Sequence, residues 1–181
     1  MLDNAIRAMT KGLVRAPQVE RGMKHNNHLT ISERRTTFSE LSAFIRSRLQ
    51  IYQTVKVVAR SDYNQLVSLE RQMFPNTAGI FDVACVRHAT HYFNYSILVG
   101  KSAGAIQSYF SFFPLTKRGF DHCISQNVKT ICQFPAELFR PRRHHVESIF
   151  LEVLATKATC PYPIKRDTIA IALSVISHYK H

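Results

Sequence analysis

Hydrophobic and polar positions recur along this chain with two different periods, and the switches between them mark its elements. Phe38, Leu41, Ile45, Leu49 and Tyr52 return every three or four residues, one stripe of a helix over about Thr37–Ile51. Thr37-Phe-Ser-Glu40 opens that stripe with a Thr-x-x-Glu pattern, in which each of the two side chains satisfies a free amide at a helix start. From Thr54 to Ala59 the β-branched content predicts a strand. Ser61-Asp62 then offers an N-cap, with Gln65 three residues after Asp62, ahead of Leu66, Leu69 and Met73 at helical spacing. Beyond the breakers Pro75-Asn76 and Gly79, Phe81–Tyr92 predicts another helix, with Phe81, Ala84, Cys85, His88 and Tyr92 roughly on one side. Tyr95–Val99 and Ala105–Phe113 are apolar, β-branched and aromatic runs. They are joined by Gly100-Lys-Ser-Ala-Gly104, whose glycines accept the positive φ a hairpin needs. Pro114 cannot donate to a ladder, so the second strand is expected to end there or to lie at an edge.

Downstream, Lys117–Gln126 predicts a short helix and Val128–Pro141 an irregular segment with two prolines. Val146–Ala155 is a largely apolar run that reads as a central strand, with a helix as the competing assignment. Thr159–Arg166 carries Pro161 and Pro163 and is expected to be loop, and Asp167 to cap a final helix over Thr168–Tyr179. At the other end, Leu2, Ile6, Met9 and Leu13 form a helical stripe over Leu2–Leu13, suited to docking on the domain, on a partner helix or on a membrane surface. A mitochondrial-type presequence is opposed by Asp3 and Glu20. Residues 17–31 have no sustained period and read as linker. The order from residue 54 is strand, helix, helix, strand, strand, helix, strand, helix. It predicts an α/β or α+β domain over 54–181, mixing antiparallel and parallel pairing, behind a basic helical extension and linker over 1–53.

A chain of 181 residues with 45% hydrophobic content can bury one core. No run approaches the ~18 apolar residues of a membrane span, and no secretory signal pattern opens the chain, so a soluble cytoplasmic protein without a transmembrane segment is expected. Cys85, Cys123, Cys132 and Cys160 include no Cys-x-x-Cys pair, which favours reduced thiols. The net charge of +12 suits anionic partners. The excess is spread evenly, nine Lys/Arg against four acids in 1–53, eight against four in 54–135 and seven against four in 136–181. A nucleic-acid arm would concentrate it, so nucleic acid is a weakly supported partner.

Cys85-x-x-His88-x-x-His91, with His122-Cys123, Cys132 and His144-His145 elsewhere, matches no zinc spacing, and ordinary core or surface roles are preferred to a metal site. Arg140-Pro-Arg-Arg-His-His145 is the densest basic cluster, either a phosphate contact or a solvated loop. Among the aromatics of the second hairpin strand, one pair is expected to fill the core and the other to line a cleft, with Tyr109 and Phe112 the substrate-binding candidates. Cys123 beside His122 lacks an orienting group for a nucleophile.

The hairpin of residues 95–116, with its Tyr-Phe-Ser-Phe-Phe-Pro-Leu-Thr ending, and Glu147-Ser-Ile-Phe-Leu151 further on, resemble the second to fourth strands of the acyl-CoA N-acyltransferases of the GNAT superfamily. The resemblance runs over about Val55–Tyr179 and implies a central sheet flanked by helices, with acetyl-CoA or another acyl-CoA as cosubstrate. It implies that backbone groups of Ile149, Phe150, Leu151 and Val153 hold the pantetheine arm on an opened strand edge, and that Lys157, Lys165 and Arg166 supply charge to the pyrophosphate. A carboxylate on the same strand would take the amine proton. Glu147 is the first choice over Glu152, which an odd separation puts on the other face of a regular strand. Two features depart from the family pattern. Thr156–Asp167 contains no glycine where the family has a glycine-bearing phosphate turn, and the family's later strands and acid tyrosine have no counterpart here. A partner, a second copy of the chain or the N-terminal extension is therefore expected to complete the sheet. The implied function is acyl transfer to the amine of a small molecule or protein. The alternative is a non-catalytic binding protein on the same scaffold, engaging a protein partner or nucleic acid.

Overall fold

Thr37 and Glu40 form the capping box that the sequence specifies. The Glu40 amide donates to Thr37 Oγ1 at 3.1 Å and the Thr37 amide to Glu40 Oε2 at 2.7 Å, and helix α1 follows over Phe38–Ile51. The computed structural model describes residues 12–15, 36–75, 81–126, 131–133 and 145–180. After α1 come the helices α2 (Tyr63–Met73), α3 (Val83–Tyr92), α4 (Lys117–Ser125) and α5 (Tyr162–Lys180). The strands are β1 (Gly12–Arg15), β2 (Val55–Val57), β3 (Ile97–Ser102), β4 (Ala105–Leu115) and β5 (Ser148–Thr156). They make one sheet in the order β1-β5-β4-β3-β2. The class is α+β. Every neighbouring pair of these strands is antiparallel, which corrects the expected mixture with parallel pairing.

Two further helix starts are capped by side chains not singled out from the sequence. Asp82 Oδ1 accepts from the Cys85 amide at 2.7 Å to open α3, and Thr116 Oγ1 accepts from the Gly119 amide at 3.2 Å to open α4. The hairpin turns on Ala103-Gly104, both at positive φ (48° and 78°), so β3 runs on through Gly100. A Cβ on Gly100 would lie 2.4 Å from Ser108 Oγ and 2.5 Å from Ile164 Cγ2; the bare backbone lets α5 settle onto the sheet.

Other expectations change. Pro114 lies inside β4, opposite Ile149, in a strand with neighbours on both sides. Pairing with β3 starts only at Ser111, so Pro114 sits beyond the end of that strand and its missing N–H withdraws no β3–β4 bond. The loop expected over Thr159–Arg166 becomes helix from Tyr162, because proline is tolerated in a first turn whose amides have no intrahelical acceptor. Asp167 consequently lies within α5, buried, where it accepts from Thr54 Oγ1 at 2.8 Å and from the Arg166 guanidinium instead of capping the helix. Asp62 makes no cap bond to α2; its carboxylate accepts from the Ala59 amide at 3.0 Å and pairs with Lys101. The helical stripe of Leu2–Leu13 reaches into β1, since Gly12 and Leu13 are strand; its remainder, the linker at 17–31 and most of Val128–Pro141 lie outside the described residues.

The core is continuous from α1 to α5. Leu41 and Ile45 of α1, Leu66 of α2, Val86 and Ala89 of α3, the aromatics of β4, Ile149 of β5 and Ile171 and Val175 of α5 all belong to it. The first third of the chain thus gives the sheet an edge strand and a packing helix. Cys85 of α3 is joined to Cys132, in a short 3₁₀ turn over Ile131–Gln133, by a disulfide with Cα atoms 5.3 Å apart. The expectation of four reduced thiols is corrected on this pair, because the fold carries a residue 47 positions away onto α3. Cys123 and Cys160 are free and buried.

Candidate functional site

Strand β5 is the element on which the sequence placed its chemistry, and its pairing divides it in two. From Ser148 to Leu151 it has a strand on each side, β4 through Leu115–Phe112 and β1 through Arg15–Gly12. Past Leu151 the β4 register slips, Ser111 pairing with Val153 while Phe112 pairs with Leu151. Glu152 is the extra residue of a β-bulge, a device that bends a strand and re-aims a side chain. The residue is 3% exposed, and Ser111 Oγ donates to its Oε2 at 3.2 Å. From Val153 to Thr156 no described strand residue pairs with the β5 edge opposite β4.

The expected contacts fall on both halves. The backbones of Ile149, Phe150 and Leu151 are flanked by β1 and β4, so the opened edge expected there is closed; Val153 lies on the half without a β1 partner. Glu147 precedes β5 as a half-buried residue whose amide donates to the Leu115 carbonyl at 2.7 Å. Tyr109 and Phe112 are fully buried, Phe112 between Phe110 and Phe93 at centroid distances of 4.9 and 6.0 Å. The structure puts both in the core and not on a cleft wall, because β4 is covered on both faces along this stretch. Tyr109 Oη and Ser148 Oγ are buried with no hydrogen-bond partner among the described residues.

The link between β5 and α5 is short. The Lys157 amide donates to Gln107 O, the Cys160 amide to Lys157 O and the Lys165 amide to Pro161 O. Ala158 and Thr159 are exposed residues whose amides make no backbone hydrogen bond among the described residues, and they stand just before the positive end of α5. Lys157 and Lys165 are half-buried here, while Arg166 is exposed and tied to Asp167 at 2.8 Å. Behind this link Ser108 Oγ and Thr168 Oγ1 meet at 2.7 Å, and Thr168 donates to the Ile164 carbonyl. Burial pushes the Cys160 thiol up from its ordinary pKa, partly offset by the Ser108 hydroxyl and the Lys165 charge.

The bulge, the Ser111–Glu152 contact and the Ser108–Thr168 contact were not anticipated. Their signal was present as polar interruptions, Ser108, Ser111 and Glu152, in runs otherwise built for a core. Among the described residues no three His, Cys, Asp or Glu side chains converge as a metal site; Cys85 is spent in the disulfide, and Arg140–His144 lies outside the described residues. No described helix is long and apolar enough to cross a membrane. Surface depressions lie between α2 and α3, between α1 and α5, and beside β2, and none of these three is lined by β5. No protein family, curated protein or solved structure matches this chain.

Proposed function

We propose that the chain is an acyl-CoA-dependent N-acyltransferase of GNAT type, with acetyl-CoA or another acyl-CoA lying along the second half of β5. The observation that carries this reading is the bulge at Glu152. It puts a buried carboxylate one residue past the last described β1–β5 pair, next to Val153–Thr156, whose edge opposite β4 has no strand partner among the described residues. An extended amide-bearing arm needs such an edge, because its N–H and C=O groups bond to a strand in place of another strand. Val153–Thr156 offer those backbone groups. The amides of the exposed residues Ala158 and Thr159, the first turn of α5 and the ammonium groups of Lys157 and Lys165 suit an anionic pyrophosphate. The fit is made without glycine, and Pro161 and Pro163 subtract two donors.

The chemistry asks little of the protein. The acceptor amine loses a proton and its lone pair adds to the thioester carbonyl; the tetrahedral oxyanion then collapses as the C–S bond breaks and the thiolate takes a proton. Glu152 is placed by Ser111 to hold the amine proton, and Glu147, at the mouth of the strand, is the second candidate. The test combines binding and turnover. Acetyl-CoA should raise the melting temperature in a dose-dependent way, and Glu152→Gln should keep that shift while turnover falls about 100-fold or more. If Glu147→Gln has that effect and Glu152→Gln does not, the roles of the two are exchanged.

A second reading is a binding protein on the same scaffold. It is favoured by β1, which covers the backbone of Ile149–Leu151, where the family resemblance expects the opened edge. No melting shift with millimolar acetyl-CoA would select it.

A further inference from the structure

The groove between α1 and α5 is a second chemical surface, separate from the strand edge. Phe44, Arg48, Leu173, Ser174, Ser177 and His178 line it around a volume of about 390 Å³. The two helices run antiparallel there, and the Phe44 and His178 rings stack at 3.8 Å with 8° between their planes. The Arg48 guanidinium lies over the same Phe44 ring, 4.8 Å from its centroid. That contact holds the guanidinium but satisfies none of its N–H groups. Arg48 has no carboxylate partner among the described residues, and its Nε is buried without an acceptor. Ser174, Ser177 and His178 project from one side of α5 at three- and four-residue steps. Neither serine hydroxyl has a hydrogen-bond partner among the described residues. None of the six lining residues is acidic.

A planar, always-charged fork on α1 and two hydroxyls on α5 line the same groove, so it offers hydrogen-bond donors from both of its walls. A tetrahedral oxyanion with three or four acceptor oxygens matches that arrangement better than a planar carboxylate. Leu173, 43% exposed at the rim, offers apolar contact to whatever carries the anion. The carbonyl end of α5 opposes an anion at this place, so the Arg48 charge has to outweigh it. We propose that this groove binds a phosphate monoester group. Ser174 lies twelve residues from the start of α5, ~18 Å along the helix from the proposed pyrophosphate contacts. The site therefore stands or falls independently of the acyltransferase reading.

Free phosphate monoesters and the headgroup of phosphatidic acid share this chemistry, and the experiment separates them. The full chain, labelled with nitrogen-15, is titrated with glycerol phosphate while amide shifts are followed, and is floated in parallel with vesicles of phosphatidylcholine containing phosphatidic acid. Binding in either arm should move or protect the amides of Arg48, Ser174, Ser177 and His178. It should weaken about tenfold or more in Arg48→Gln and less in Ser177→Ala, an exposed position that keeps the test valid if the arginine variant does not fold. Glycerol phosphate binding assigns a soluble ligand, and vesicle binding alone assigns a lipid one. No binding in either arm overturns the proposal, as does binding that both variants leave unchanged.

Discussion

Asp62 shows how one side chain joins elements that the sequence keeps apart. Burial works to raise its pKa, but the Lys101 ammonium, the Ala59 amide and the Ser61 hydroxyl outweigh it and hold the carboxyl below its ordinary value. A depressed folded pKa contributes stability that is fully present above the unfolded value near 3.8 and is lost as pH falls through the folded one. Asp62→Asn is therefore expected to cost about 1–3 kcal/mol at pH 7. The gap to the parent should narrow progressively as pH falls below the unfolded value near 3.8, as urea denaturation at a series of pH values would show; a gap that stays constant as the carboxyl is protonated would exclude the ionised pair as its source. Gly100 makes a steric counterpart. Gly100→Ala forces a methyl against Ser108 Oγ and Ile164 Cγ2 and should destabilise by about 1–3 kcal/mol. Ile164→Ala removes one of the two colliding atoms and leaves Ser108 Oγ, so in the double variant the two costs should sum to more than the measured loss. Strict additivity would mean that α5 gives way at no cost.

At the scale of elements, what the sequence discloses is what neighbours along the chain decide. The capping box of Thr37 and Glu40 is local chemistry and is read as such, and the hairpin connector is read as Gly100–Gly104, although the turn itself falls on Ala103-Gly104; the Asp82 and Thr116 caps are equally local but are not singled out. Pro114 inside β4, Asp167 inside α5 and Asp62 turned toward Lys101 depend on partners 35 to 113 residues away, so local rules misplaced them. The candidate site failed in the same way. The parity argument for Glu147 and Glu152 assumes a regular strand, and a bulge set by pairing with β4 breaks that assumption at Glu152 itself. The disulfide is the extreme case, since no local spacing joins Cys85 to Cys132. Closing a loop of that span should be worth about 4 kcal/mol through the unfolded chain. Reduction, or Cys132→Ser, is expected to lower the guanidinium midpoint accordingly, with Cys85 then reacting with an alkylating agent only as the protein opens. Cys123 and Cys160, whose thiols burial pushes up, should alkylate slowly in the folded protein at pH 8 whatever the state of that bond.

For the whole molecule, the sheet has two different edges. β2, at one end, is three residues long with Lys56 exposed, a form that discourages further pairing. At the other end β1 shields the first half of β5, an apolar strand whose residues Ser148–Val153 are all buried. β1 comes from the N-terminal region, far from β5 in sequence, so its docking costs the closure entropy of a long chain segment. Removing residues 1–15 should leave the Ser148–Leu151 edge open to a second copy of the chain. Four lost residue pairs are worth about 1–3 kcal/mol, and light scattering after size exclusion should show association that rises with concentration. Under the acyltransferase reading the same truncation should lengthen the accessible edge and leave the acetyl-CoA melting shift in place, because none of the four described pairs it removes involves Val153–Thr156. Under the binding-protein reading association appears and no acetyl-CoA shift does. A truncated chain that stays monomeric and melts where the parent melts would show that β1 contributes nothing to the sheet, and both readings of the covered half-strand would lose their footing.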